Sequence, residues 1–131
     1  MNTVRLSRLI FTLAGIYDGF LGVVFLFIPL WVFEFFQVTP PNHSGYVQFP
    51  ATLLIIFALM FFQIAQDPVG KVILMPYGMG LKFAYSTLVF WYWVFSEIPN
   101  MWKPFALADL AFLVGFIWCY YTLKSARANI E

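Results

Sequence analysis

Long apolar runs separated by short polar breaks make up this chain, and the lengths of the runs carry its first structural information. Crossing about 30 Å of hydrocarbon takes roughly 20 helical residues. Four stretches meet that length, at about 7–28, 46–66, 71–96 and 102–123. The first starts behind Arg5 and Arg8 and holds Tyr17, Asp18 and Gly19 in its interior. It is too long and too interrupted for a short signal core, and no A-x-A-like site follows it, so a retained helix is expected. Pro29 marks a break, because proline lacks an N–H and clashes with the preceding turn yet suits the first turn of a new helix. Residues 29–36 (PLWVFEFF) therefore read as a short segment lying in the membrane interface, with Trp31 at headgroup level.

The breaks have turn chemistry. Residues 39–45 (TPPNHSG) favour a loop, Asp67-Pro68-Val69-Gly70 a tight turn, and Glu97-Ile98-Pro99-Asn100 a third connection. Pro76, Gly78 and Gly80 predict a kink in the first half of the third span, and a short polar tail is expected after residue 123. With no internal repeat and no loop long enough for a second unit, residues 1–131 read as a single transmembrane domain. The expected fold is all-α: an integral membrane four-helix bundle with a short interfacial segment after the first span.

Composition excludes the alternatives. Of 131 residues, 63% are hydrophobic, 22% aromatic and 10% charged, against about a quarter charged in soluble domains, and the mean hydropathy is +0.84. A small soluble domain leaves too much surface in water to hide that many Phe, Trp and Leu side chains, and disordered segments are poor in them. The net charge of +1 offers no basic patch for nucleic acid. One cysteine, Cys119, allows neither an internal disulfide nor a thiolate metal cage and reads as a packing residue. His43 is the sole histidine, so bis-histidine haem ligation is impossible within one chain, and no metal or cofactor is expected. No H-x-E, CxxC, GxSxG, HExxH or glycine-rich phosphate loop occurs. An enzyme built here would have Asp, Lys and Tyr to work with.

Lys and Arg counts suggest an orientation. With the N-terminus inside, Arg5, Arg8, Lys71, Lys124 and Arg127 are cytoplasmic and Lys103 is outside, so the positive-inside rule places both termini in the cytoplasm.

Three charges fall within spans: Asp18, Lys82 and Asp109. Each costs roughly 2.5 to 3.5 kcal/mol at the centre of an inserted helix, so partners are required. Asp18 lies ten residues in from Arg8, Lys82 eleven from Lys71, and Asp109 six from Lys103. Asp18 and Lys82 thus share a mid-membrane depth and should pair, with Asp109 approaching from the outer half. Gly15, Asp18 and Gly22 make one small-residue stripe; Gly78, Lys82, Tyr85 and Ser86 make another, and the two are expected to face each other. Tyr17 and Tyr85 stand at nearly the same level and could offer hydroxyl partners. The cluster reads either as a structural ion pair that fixes register or as a polar pocket for a lipophilic ligand or a proton. Any cavity is expected to open towards the outer half, with Asp109 on its wall and the TPPNH loop at its rim.

As a set, these residues resemble a family. Tyr17-Asp18-Gly19 with Gly22, Lys82 in the third helix, Asp109 in LADLAFL, TPPNH, Tyr46-x-Gln48-Phe49-Pro50, Asp67-Pro68 and Trp102-Lys103-Pro104-Phe105 look like the DoxX-like group of small bacterial four-helix membrane proteins. The resemblance spans nearly the whole chain. It implies a bundle in the bacterial inner (cytoplasmic) membrane with Asp18, Lys82 and Asp109 as its polar heart, and the group's members include a subunit of a thiosulfate:quinone oxidoreductase. Two functions remain open. One is a non-catalytic accessory or interaction subunit that packs in the lipid bilayer against other membrane protein subunits of a larger, redox-type complex. The alternative is a binder or enzyme for a lipophilic small molecule, a quinone or sterol-like lipid, built on the Asp/Lys cluster.

Overall fold

Helix α1 (Thr3–Phe27) begins where Asn2 lends its side-chain oxygen to the Arg5 N–H at 2.8 Å, satisfying one of the donors that every helix N-terminus leaves unpaired. A computed structural model describes residues 2–130. At 25 residues α1 is about 37 Å long, enough to cross a bilayer. It stops ahead of Pro29, and the chain restarts as α2 (Pro29–Phe35) with that proline in the first turn, where no intrahelical donor is needed. The α1 end is tied down from outside: Gln48 Nε2 donates to the Leu26 carbonyl at 3.0 Å. Gln37, in the left-handed region at φ 56°, closes α2. Its N–H bonds to Glu34 O and the next N–H, of Val38, to Phe33 O, so that Val38 folds back onto the cluster that holds Phe33.

A loop leads to α3 (Gly45–Gln66), and the Asp67 turn then reverses the chain, with Asp67 Oδ1 accepting from the Gly70 N–H at 3.0 Å. A 3-10 turn (Val72–Leu74) runs into α4 (Met75–Phe95), and a second one (Asn100–Trp102) into α5 (Lys103–Ala128). Two expectations change here. Pro76 does not sit inside a helix to kink it; it occupies the first turn of α4, where its missing N–H costs nothing. The residues after 123 are not a polar tail but the last turns of α5, which continues to Ala128. Arg127 on that extension donates to the Gly70 carbonyl at 2.6 Å and so fastens α5 to the α3–α4 turn.

Neighbours around the bundle follow the order α3, α1, α5, α4. Helix α1 packs along α3 and against α5, α5 packs along α4, and α3 and α4 touch little beyond the turn that joins them. Helices α1 and α4 are therefore diagonal. Two apolar clusters fill the interior. One, nearer the termini, holds Phe11, Phe61, Met75, Phe116 and Cys119, with the Phe11 and Phe116 rings stacked 4.4 Å apart. The other, at the α2 end, holds Phe25, Val32, Phe33, Ala51 and Met101. Along α1 the buried positions Phe11, Asp18 and Phe25 are spaced by seven, which places the buried carboxylate between the two clusters.

The small residues serve a different contact from the one the sequence suggests. A Cβ on Gly22 would stand 2.7 Å from the Ala51 carbonyl oxygen and from Ile55 Cγ1, and one on Gly15 2.6 Å from the Phe62 ring. The α1 glycines thus seat α3, and the α4 glycine Gly78 seats Phe61 and Phe116; the two stripes meet through the Asp18–Lys82 pair and not through their small residues. Outward-facing positions are strongly apolar, with Phe20, Phe27, Phe83 and Val94 each at least 60% exposed. Four helical segments, Thr3–Phe27, Gly45–Gln66, Val72–Phe95 and Asn100–Ala128, are long and apolar enough to cross a membrane. The protein is a multi-pass membrane protein with an all-α bundle fold.

The glycine contacts make a paired prediction. Gly22→Ala pushes a methyl into a backbone carbonyl that cannot rotate away and should lower stability by about 1–3 kcal/mol. Gly80→Ala, with nothing within 4 Å of the added carbon, should be neutral or stabilising by up to about 1 kcal/mol through helix propensity. Unfolding of the two variants side by side in mixed micelles checks this, and equal losses would contradict the close α1–α3 approach.

Candidate functional site

Three helices each contribute one charge to the middle of the bundle. Lys82 Nζ lies 2.7 Å from Asp18 Oδ1, 2.9 Å from Asp18 Oδ2 and 2.9 Å from Asp109 Oδ1. The two Asp18 oxygens share one side of the ammonium, and Asp109 Oδ1 takes another. A lysine suits the diagonal geometry, because its four-carbon stem spans the bundle centre from α4 to α1 while α5 brings Asp109 in from the side. The expected pairing of Asp18 with Lys82 is present, and Asp109 joins it directly.

Aromatic rings wrap the ammonium. The rings of Tyr17, Phe112 and Phe61 have their centroids 5.3, 5.3 and 5.8 Å from Nζ, within range for cation–π attraction. Phe61 and Phe112 did not stand out in the sequence; the available signal was spacing, since Phe112 follows Asp109 by one helical turn and so shares its face. The two tyrosine hydroxyls do not contact the charges. Tyr85 Oη donates to the Trp102 carbonyl at 3.1 Å and Ser86 Oγ to the Ala106 carbonyl at 3.4 Å, so both tie α4 to the start of α5. Tyr17 Oη is shut off from solvent and has no hydrogen-bond partner among the described residues.

Beside the triad lies a cavity of about 300 Å³, at the lower end of the range for small-molecule sites. Its walls are apolar: Leu21 and Phe25 from α1, Val47, Ala51 and Leu54 from α3, Leu81 from α4. Its polar lining is Asp18, Asp109, Tyr17 and Tyr85. Trp102 and Phe105 complete the α2 end, where the Phe25 and Trp102 rings stack at 6.1 Å and Phe33 of α2 meets Trp102 edge-on at 6.0 Å. This aromatic layer covers the cavity's end. The side is less covered, because the lining includes the exposed Tyr46 and Leu53, seven residues apart on one face of α3, and α3 and α4 are in contact mainly at their shared turn. The cavity thus reaches the bilayer-facing surface along α3. Asp109 is on the wall as expected, but the TPPNH loop is not at the rim, which begins at Tyr46.

Chemically the arrangement offers a desolvated negative surplus, two carboxylates against one ammonium, at the floor of an apolar chamber. Of the triad, Lys82 and Asp18 are sealed, with side chains 0% and 1% exposed, whereas Asp109 keeps 10%. No group of three or more His, Cys, Asp or Glu side chains that could hold a metal ion occurs among the described residues. Comparisons with protein-family models, curated proteins and solved structures give no match.

Because the triad has one cation and two anions, its members are unequal. Lys82→Met strands two buried carboxylates and should destabilise most, by about 3–5 kcal/mol, the range for breaking a buried pair. Asp109→Asn leaves a balanced Lys82–Asp18 pair and should cost well under half of that. Adding Asp18→Asn and Asp109→Asn to Lys82→Met should recover much of the loss, since no charge then remains unpaired. Unfolding curves for the single and triple variants test this, and additive losses would show that the three side chains do not act as a unit.

Proposed function

We propose that the protein binds a lipophilic small molecule within the membrane, with the Asp18–Lys82–Asp109 triad meeting the ligand's polar head. The observation that carries this reading is the cavity itself: an apolar chamber of about 300 Å³ whose floor is a charged cluster and whose flank reaches the lipid-facing surface. A purely structural ion pair has no need of such a space, and close packing in protein interiors works against leaving one. Buried ionisable groups facing a cavity in a membrane bundle are the usual mark of a ligand or proton path. The accessory-subunit reading draws on the abundance of exposed aromatic and aliphatic side chains, and the bilayer accounts for those equally well. The DoxX-like resemblance agrees with a quinone-sized or sterol-like ligand and stands, like the assignment to a bacterial inner membrane, as a proposal on the sequence motifs.

Retention of a ligand is directly measurable. Protein taken from its native membrane into lipid nanodiscs should carry a small lipophilic molecule at about one per chain, seen by native mass spectrometry and solvent extraction. Leu54→Trp, which fills the chamber from its apolar wall, should abolish that retention while leaving the triad in place. Co-purifying protein chains with no small molecule would favour the accessory subunit instead.

We further propose that both termini face the cytoplasm. Five Lys or Arg residues (Arg5, Arg8, Lys71, Lys124, Arg127) fall at the termini end of the bundle against Lys103 at the α2 end. In a Cys119→Ser background, single cysteines at Ser44 and Ser125 should react with an impermeant maleimide from opposite sides of the membrane. Labelling of both from one side would overturn the four-span topology.

A further inference from the structure

The hydrogen-bond inventory of the chamber says which kind of head group it accepts, and this step rests on the ligand-binding reading above. Lys82 Nζ faces both Asp18 oxygens and Asp109 Oδ1, is fully buried and does not line the chamber, so it presents no proton to a ligand there. The Tyr85 hydroxyl proton goes to the Trp102 carbonyl and that of Ser86 to the Ala106 carbonyl. What the triad still offers is acceptor capacity. Asp109 Oδ2 makes no hydrogen bond with the described residues, and Asp109 is the member of the triad with its side chain partly open, on the cavity wall. Tyr17, another lining residue, has its Oη closed off and without a partner among the described residues, so it offers a ligand nothing without moving.

We propose that the chamber selects lipophilic molecules whose head group donates a hydrogen bond, a hydroxyl or an amine, over those whose head is a carbonyl or ether alone. A hydroxyl donates to Asp109 Oδ2 and so satisfies the carboxylate oxygen that is open on the wall. An amine or ammonium also donates to Asp109 and, when charged, balances the cluster's surplus negative charge. A ketone donates nothing, and it brings its oxygen lone pairs towards a carboxylate left without a donor. Leaving a charged acceptor unpaired in a water-poor site is the costly outcome, and sites built around such groups reject ligands that lack the matching partner. A chamber of about 300 Å³ holds a head of one or two rings, and a longer tail would pass alongside Tyr46 and Leu53 into the lipid.

The test uses the full-length protein in nanodiscs and three probes with one tail: 4-octylphenol, 4-octylbenzylamine and 4-octylacetophenone. Binding is read from tryptophan fluorescence, since Trp102 lines the chamber, with Leu54→Trp/Trp102→Phe as the filled-chamber control. The phenol or the benzylamine should bind at least about tenfold more tightly than the acetophenone, and the two donor probes separate a neutral hydroxyl ligand from a cationic one. Asp109→Asn should reverse the order: with its amide oxygen held by Lys82, the NH₂ faces the chamber and the ketone gains a donor. Equal affinity for all three probes, or a wild-type preference for the ketone, overturns the donor rule while leaving ligand binding intact. Failure of every probe to bind above the filled-chamber control overturns both.

Discussion

A lysine ammonium held out of water between two carboxylates sets the terms for the rest of this bundle. Desolvating an ion costs several kcal/mol even after relaxation, so Lys82 is tolerable at the centre only where partners arrive from other helices with good geometry. Asp18 on α1 and Asp109 on α5 meet that need at 2.7 and 2.9 Å. The consequence is topological. One residue on α4 fixes the rotation of α1 and α5 about their own axes, because turning either helix by a quarter withdraws its carboxylate and strands the charge. In lipid, where apolar side chains gain little by meeting one another rather than acyl tails, such directional contacts and close backbone approach do the sorting that hydrophobic burial does in water. The phenyl and phenol rings of Phe61, Phe112 and Tyr17 add a soft electrostatic collar that contributes attraction without further desolvation of polar groups.

The two apolar clusters fit this frame. Phe11, Phe61 and Phe116 pack tightly on the termini side of the triad, with Phe11–Phe116 and Phe61–Phe116 ring centroids 4.4 and 5.1 Å apart. On the other side Phe25, Phe33, Trp102 and Phe105 form a looser aromatic layer, with ring centroids about 6 Å apart, over the cavity. Helix α2 matters for this reason: the break at Pro29 folds Phe33 back over Trp102, and the left-handed residue Gln37 ends the helix that carries it.

Much of this was legible in the sequence, and the parts that were not share a cause. Run length and turn chemistry locate the four spans and the break at Pro29, because the bilayer imposes a length and proline a local rule. Depth counting pairs Asp18 with Lys82, since a charge far from either surface must find another. What one-dimensional reading could not supply is the order of helices around the bundle. Gly15, Gly22 and Gly78 announce close contacts without saying with whom, and their partners turn out to be Phe62, Ala51 and Phe61, all on α3. The lysine hides the same fact: a long side chain lets its charge pair across a diagonal, so an ion pair between α1 and α4 does not make those helices neighbours. The Tyr85 hydroxyl illustrates a third limit, because the backbone carbonyl of Trp102 that it meets leaves no trace in the sequence.

The cavity follows from that same diagonal. A small bundle closes its centre only if each helix contacts both neighbours along its length, and here the α3–α4 seam is held mainly at the Asp67 turn. The α1 glycines draw α3 towards α1, and Tyr85 and Ser86 bind α4 to the start of α5, so the two helices are each engaged away from their shared seam. Space opens where that seam meets the level of the triad, bordered by Leu54 of α3 and Leu81 of α4. The contacts that secure the charges and the contacts that leave room beside them are thus one set: both carboxylates that hold Lys82 also line the gap, and of the two Asp109 is the one whose side chain stays partly open.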